Sequence, residues 1–333
     1  MNTATMIAGF KPMHGVHCET VATGSLLKAA GIELSEAMLF GLGEGLSFVF
    51  LNLASLPLPF VGGRVKPFEL TERLCRQLGI TLHAAETSSK SKAWSALEAA
   101  IEADKPVGLQ LDAYHLNYFS IPFHFAGHCV AVYGFDSEKV WVVDTVQQGS
   151  LHQVARPRIE AARFEKGPMS ARARAWTVER SGLGIALADA LRAAMRANAA
   201  AYLAPTFQGA SYLGIRKLAA SLPKWQQISG NPGSDLAQAA LLMERAGTGG
   251  SVFRNFYRDF LVEAGPHLRD GRDLIAEAAA LFSASAQAWG CVARLIESAG
   301  AKPSDDTPLR EASTTCLRIA ELEVSAMQLL ARL

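Results

Sequence analysis

The spacing of hydrophobic and polar positions changes about halfway along the chain. Before about residue 150, alternating runs that predict strands are interspersed with runs that predict helices. From about residue 183 onward, apolar residues recur three and four positions apart and alanine is frequent, which favours packed helices. Residues 153–182 are basic and punctuated by Pro and Gly, and we interpret them as the connection between the two parts.

Individual elements follow from the same periodicities and from their Gly, Pro and polar boundaries. In the first half, helices are predicted at 19–30, 35–39, 69–78 and 89–103, strands at 80–84, 106–111, 128–134 and 140–143, and a loop at 57–66 after the apolar run 46–53. In the second half, helices are predicted at 183–202, 212–222, 236–246, 251–264, 268–299 (where Gly290 could interrupt the helix) and 309–333.

Two of these strands, 128–134 and 140–143, are separated by the polar segment 136–139 and predict a β-hairpin. His128 opens the first strand and Asp144 directly follows the second. Both residues therefore fall at the same end of the two-stranded ribbon, where the carboxylate is within reach of the imidazole.

Cys18 stands where the loop-like segment 11–15 gives way to the predicted helix 19–30. The dipole at a helix N-terminus favours the thiolate form of a cysteine. A thiol nucleophile also needs a neighbouring base and a group that orients this base. We therefore interpret Cys18 as the nucleophile, His128 as the base and Asp144 as the orienting group. The structural alternatives are a buried helix cysteine, a packed strand histidine and a turn aspartate.

The predicted hairpin resembles the His–Asp hairpin of papain-like enzymes, including the double-glycine bacteriocin peptidases. Together with three other segments, it is similar to the butirosin biosynthesis protein H family, and these segments are His17-Cys18, 39–48 and 244–264. The last of them resembles the domain of unknown function that usually follows in this family. The resemblance covers nearly the whole chain.

This resemblance implies an α+β protein with a papain-like catalytic domain at 1–165 and a helical domain at 180–333 that shapes the cleft. In the family, the best understood activity moves an acyl group from a carrier-protein thioester to an amine of an aminoglycoside. The resemblance thus implies a Cys-linked acyl intermediate on Cys18 and a role in specialised-metabolite biosynthesis. Two alternatives remain open: a cysteine hydrolase acting on an amide, peptide or thioester, and a binding or scaffold protein that keeps the fold without the reaction.

The expected partners are an acyl thioester donor, which an acyl carrier protein with phosphopantetheine could present, and a small-molecule amine acceptor. The apolar helical half is compatible with a homodimer. No cofactor is expected, and no metal is expected because the spacing of the candidate ligands matches no common zinc site; these candidates are His14, His17, Cys18, His124, His128 and Cys129.

The oxyanion donors depart from the papain-like pattern. Such enzymes often place a Gln shortly before the cysteine, and no Gln occurs between Met1 and Cys18. His14 or His17, together with the Cys18 backbone amide, are therefore the candidate donors.

Two glycine-rich segments are further candidates for substrate contacts. Gly43 and Glu44 lie in segment 41–45, which lacks the Lys-Ser/Thr of a P-loop and predicts a tight turn beside the cleft. Arg254 lies one turn into the helix that follows 247–250, where it could contact a phosphopantetheine phosphate. A helix–helix loop with a capping glycine is the alternative interpretation there.

An aromatic cluster precedes His128 in the chain. It consists of Tyr114, Tyr118, Phe119, Phe123 and Phe125. These rings form either a wall of the acyl pocket or a loop packed by its own side chains, and the sequence favours neither.

Composition narrows the classes of function further. The chain has 333 residues, 50% of them hydrophobic, which is enough for a large core. With 32 Lys and Arg against 31 Asp and Glu, it lacks the basic excess typical of nucleic-acid binding. No apolar run reaches the length of a membrane span, and the start does not predict a signal peptide. Five cysteines without CxxC spacing favour a reducing cytoplasm.

Overall fold

The computed structural model describes residues 4–53, 56–120, 123–180, 185–244, 249–302 and 304–333. Residues 181–184 and 245–248, which include ends of two predicted helices together with Gly247 and Thr248, lie outside these described residues. The chain forms two compact units: Met1–Leu39 with Lys66–Ile185, and Phe40–Val65 with Ala186–Leu333. The second unit thus includes residues 40–65, which the sequence analysis assigned to the domain 1–165.

The N-terminal half contains both strands and helices. In chain order they are β1 (Thr5–Met6), α1 (Cys18–Ala29), α2 (Glu36–Leu42), β2 (Leu46–Leu51), β3 (Phe60–Arg64), α3 (Glu69–Leu78), β4 (Thr81–Ala85), α4 (Lys90–Glu102), β5 (Val107–Leu111), β6 (His128–Phe135), β7 (Lys139–Val143), β8 (Leu151–Ala155), α5 (Arg156–Phe164) and β9 (Ala175–Glu179). Helices follow: α6 (Leu187–Leu203), α7 (Ser211–Ser221), α8 (Trp225–Ile228), α9 (Pro232–Glu244), α10 (Ser251–Ala264), α11 (Arg272–Ala301) and α12 (Thr307–Leu330). The change in hydrophobic spacing along the sequence therefore corresponds to the change from mixed strands and helices to helices alone.

An antiparallel sheet forms the centre of the first unit, in the order β4-β9-β5-β6-β7-β8 with β1 beside β6. The predicted hairpin is confirmed, since β6 and β7 pair in a register that sets Val132 opposite Val142. Alternate residues of the sheet, such as Leu109, pack with Leu97 of α4 and Ile159 of α5 in one buried core. Helix α1 packs against β6, and this packing sets the position of Cys18.

The interpretation of 153–182 as a connection is wrong, because this segment supplies α5 and β9 to the first unit. Strand β9 pairs with both β4 and β5 and so lies within the sheet. Its Trp176 is 1% exposed and covers Gly108 of β5, where a Cβ would stand 2.1 Å from the indole ring. The alternating pattern of β9 is short and lies among basic residues. The strands with which β9 pairs are distant in sequence.

In the second unit, the β2–β3 hairpin and the helices share one hydrophobic core. Phe48 of β2 stacks on Trp289 of α11 with ring centroids 5.5 Å apart. The predicted loop 57–66 is wrong because it contains β3, which pairs with β2. The predicted interruption at Gly290 is also wrong: buried Trp289 and Val292 hold α11 in the core, and the helix continues. Within the described parts of the chain, no helix combines the length and apolarity needed to cross a membrane.

Candidate active site in the first unit

Cys18 is the first residue of α1, as predicted from the sequence. His17 before it is extended (φ −109°, ψ 121°) and occupies the N-cap position. Amides in the first turn of a helix have no intrahelical acceptor, and the dipole favours a negative charge there. The residue is buried, with 9% of its surface exposed. A thiolate at this position is therefore stabilised by the helix that carries it.

The carboxylate of Glu36, at the start of α2, holds the backbone that leads into Cys18. It accepts hydrogen bonds from the amides of Val16 (3.0 Å) and His17 (2.8 Å). It also accepts one from the Thr20 hydroxyl at 2.8 Å. Burial raises the pKa of Glu36, against the lowering effect of these hydrogen bonds. The entry into α1 is thus fixed by a side chain of the next helix.

The imidazole of His128 and the carboxylate of Asp144 meet at one end of the β6–β7 hairpin. His128 Nε2 donates to Asp144 Oδ2 at 2.7 Å, and the residues are 6% and 0% exposed. The Tyr118 hydroxyl donates to the same oxygen at 2.7 Å, and the Thr145 amide donates to Oδ1 at 2.6 Å. Because Nε2 faces Asp144, Nδ1 remains for the hydrogen bond between His128 and Cys18. The structure thus brings the three predicted residues together.

The electrostatics of this cluster favour a thiolate–imidazolium pair. Burial opposes the charged form of His128, but the negative charges of Asp144 and Cys18 outweigh it and raise the pKa of His128 to about 10. The pKa of Cys18 lies well below its ordinary value, chiefly because of a hydrogen bond with Cys129, against the effect of burial, with the His128 charge adding to the lowering. Both shifts favour the state in which the proton resides on His128. Such a sulfur is prepared for nucleophilic attack.

The aromatic cluster before His128 divides into two groups. Phe119 meets the His128 ring edge-on, with centroids 5.3 Å apart and planes at 87°. Its neighbour Tyr118 contacts Asp144, as described above. Tyr114 and Phe123, in contrast, are 45% and 43% exposed. Two consecutive rings therefore pack on the candidate site, while others in the cluster face solvent.

The candidate metal ligands named from the sequence are not arranged as a metal site in the described part of the chain. Among the residues that the structure describes, no group of three or more His, Cys, Asp or Glu side chains is arranged to hold a metal ion. His124 stacks on Tyr114 at 4.1 Å, and its Nδ1 lies 3.2 Å from an oxygen of Asp112.

The predicted oxyanion donors differ in their surroundings. His14 is exposed, whereas His17 is 7% exposed and its charge contributes to the lowered pKa of Cys18. Because Glu36 occupies the amides of Val16 and His17, these two groups are not available to an oxyanion. The Cys18 amide, at the first position of the helix, has no intrahelical acceptor. The oxyanion roles of His14 and His17 stay predictions.

Gly43 and Glu44 belong to the second unit, in the turn that ends α2. The amides of Glu44 and Gly45 donate to the carbonyls of Gly41 and Phe40, both at 3.0 Å, so the predicted tight turn is confirmed. Glu44 adopts a positive φ of 50° and is 4% exposed. Substrate contacts by Gly43 and Glu44 stay predictions.

Arg254 also belongs to the second unit, and its predicted contact with a phosphate is wrong. The residue is fully buried, and its Nε and Nη2 donate to the two carboxylate oxygens of Glu323 at 2.8 and 2.9 Å. Its Nη1 lies 3.4 Å from the Gly63 carbonyl. Glu323 accepts further hydrogen bonds from Ser285 and Trp289. The guanidinium is thus part of a buried network that joins α10, α11 and α12.

Three side chains at the candidate site were missed or misread from the sequence. Cys129 was named from the sequence only as a candidate metal ligand, yet it hydrogen-bonds with Cys18. Tyr118 was noted only as one ring of a cluster. Nothing in the sequence predicted the contacts of Glu36, since acidic residues are common at helix starts.

The fold and the site define an α+β protein with a papain-like N-terminal domain and a C-terminal helical region. Residues 17–145 match the family described as butirosin biosynthesis protein H, N-terminal, a span that runs from just before Cys18 to just after Asp144. Residues 158–330, more than half of the chain, match the domain of unknown function DUF4872. The chain therefore belongs to the butirosin biosynthesis protein H family, as the resemblance implied.

Family membership indicates an enzyme related to butirosin biosynthesis. No curated protein matches the chain significantly.

Proposed function

We propose that the protein is an acyltransferase that accepts an acyl group from a thioester on Cys18 and passes it to an amine. One observation carries the proposal: a thiol at a helix N-terminus hydrogen-bonds with a histidine whose other nitrogen lies 2.7 Å from a buried carboxylate. This arrangement suits nucleophilic acyl transfer, because the surroundings of the sulfur favour the thiolate and the histidine can hold the proton beside it.

In the acylation step, the Cys18 thiolate attacks the carbonyl carbon of the donor thioester. The carbon–sulfur bond to the donor breaks, and His128 Nδ1 protonates the departing thiolate. The acyl group is then bonded to Cys18, and His128 is neutral. Exchange between two thioesters costs little, so the donor's reactivity is preserved in the acyl enzyme.

In the transfer step, the amine nitrogen attacks the acyl carbonyl and forms the amide bond. His128 Nδ1 accepts the proton from the attacking nitrogen, and the bond from the acyl carbon to Cys18 breaks. This step yields the amide, the donor thiol having left during acylation, and the enzyme returns to its thiolate–imidazolium form. Asp144 keeps its hydrogen bond to Nε2 throughout and stabilises the imidazolium.

The test uses acyl thioesters of N-acetylcysteamine and pantetheine as donors and a panel of amines that includes aminoglycosides. Mass spectrometry of the small molecules distinguishes amide from free acid. We expect an amide with the wild type, none with Cys18→Ala, and unchanged turnover with Cys75→Ala, which removes a buried thiol whose pKa is raised to about 12 by burial. Free acid with every amine would favour the hydrolase, and neither product with any donor would favour the binding protein.

A further inference from the structure

Tyr118 contacts the candidate triad without belonging to it. We propose that Tyr118 is a positioning residue whose hydroxyl fixes the Asp144 carboxylate, so that this carboxylate directs His128 toward Cys18. The inference rests on the proposed role of Cys18 as nucleophile and adds a fourth side chain to that site. The family match assigns no role to this tyrosine, and the sequence analysis placed it only in an aromatic cluster.

The first support is that Tyr118 and His128 share one acceptor atom. Both donate to Asp144 Oδ2 at 2.7 Å, and the Thr145 amide holds Oδ1 at 2.6 Å. With donors on both oxygens the carboxylate cannot rotate about its own bond without losing a hydrogen bond. Asp144 is fully buried, so water does not replace a lost donor.

The second support is that the Tyr118 ring is itself held in place. It lies flat on the ring of His152, with centroids 3.7 Å apart and planes at 4°. His152 of β8 is paired with Val142 of β7, two residues before Asp144. The platform under Tyr118 therefore lies on β8, the strand paired with the one that Asp144 follows.

The third support comes from the next residue in the chain. Phe119 meets the His128 ring edge-on at 5.3 Å. Two consecutive side chains thus contact both members of the His–Asp pair, one by a hydrogen bond and one by ring packing.

The test measures the rate of Cys18 alkylation by iodoacetamide as a function of pH, by intact mass and peptide mapping. The background is Cys291→Ser, because Cys291 is partly exposed and would otherwise react as well. Other groups that act on Cys18 are His17, Cys129 and Glu36, and all are left unchanged. Tyr118→Phe keeps the ring on His152 and removes only the hydroxyl.

We expect Tyr118→Phe to move the midpoint of the profile to higher pH and to slow alkylation below that midpoint about tenfold, the effect of one pH unit. The matched control is Tyr114→Phe, which removes the hydroxyl of a half-exposed tyrosine in the same loop and should leave the profile unchanged. If Tyr118→Phe does not fold, 3-fluorotyrosine at position 118 replaces it. This stronger donor should move the midpoint to lower pH.

A profile of Tyr118→Phe that coincides with the wild type, in a protein that melts normally, would overturn the inference. So would a 3-fluorotyrosine profile shifted to higher pH. Alkylation needs neither an acyl donor nor an amine. A failure of the acyltransferase proposal is therefore distinguishable from a failure of this one.

Discussion

The substitution Asp144→Asn removes a negative charge from the candidate site with almost no change in volume. The carboxylate accepts hydrogen bonds from His128, Tyr118 and Thr145. It is also the largest of the influences that raise the pKa of His128. An amide carries no charge, and its nitrogen cannot accept a hydrogen bond. The substitution should therefore make the imidazolium of His128 less stable and, with it, the thiolate of Cys18.

The magnitude follows from the pKa of His128, which is about 10, against an ordinary histidine value of about 6.5. Because Asp144 is the largest of the influences that raise this pKa, we expect its loss to lower the pKa of His128 by roughly two units. The thiolate–imidazolium pair then loses about 2.7 kcal/mol, since one unit corresponds to about 1.36 kcal/mol. The midpoint for alkylation of Cys18 should move to higher pH. Below this midpoint the rate should fall about a hundredfold.

The assay is alkylation by iodoacetamide across the pH range in which the protein stays folded. The matched control is Asp136→Asn, at the other end of the same hairpin, where Asp136 accepts the amides of Glu138 and Lys139 at 2.7 and 2.6 Å. The control should react like the wild type. A rate for Asp144→Asn within about threefold of the wild type would refute the reasoning, provided that circular dichroism shows a folded protein.

Three further predictions concern neighbouring contacts. Cys129→Ala removes the hydrogen bond that contributes most to the lowered pKa of Cys18, so the alkylation midpoint should rise; an unchanged midpoint would show that this thiol has no influence. Glu36→Gln replaces a charged acceptor of two amides and should lower the free energy of unfolding by about 1–3 kcal/mol in urea titrations. An unaltered unfolding transition would contradict the role of Glu36 in holding the backbone before α1. Arg254→Met leaves Glu323 buried without its cation and should lower that free energy by about 3–5 kcal/mol; a loss below about 1 kcal/mol would contradict a structural role.

The parts of the site that the sequence predicts are those set by local patterns. The β6–β7 hairpin can be predicted because its alternating strands and its polar turn lie within one short segment. The start of α1 can be predicted because a loop-like segment gives way to a helical pattern at Cys18. The pairing of His128 with Asp144 follows from the hairpin, and the start of α1 predicts the position of Cys18.

What the sequence could not predict depends on partners far along the chain. Strand β9 pairs with β4 and β5, and its short alternation is visible only once those partners are known. Arg254 beside a glycine-rich turn is typical of anion binding, but the carboxylate that neutralises it comes from α12. The role of Glu36 depends on the fold bringing α2 against the loop before α1. Periodicity carries no information about such contacts.

The central claim is that Cys18 becomes acylated by a thioester, and intact-mass spectrometry tests it most directly. The wild type, Cys18→Ala and Cys75→Ala are each incubated with the panel of acyl thioesters in the absence of an amine. The account predicts a mass gain equal to the acyl group in the wild type and in Cys75→Ala, mapped to the peptide that contains Cys18, and no gain in Cys18→Ala. The absence of an adduct with every donor, together with a Cys18 that resists iodoacetamide at neutral pH, would contradict it.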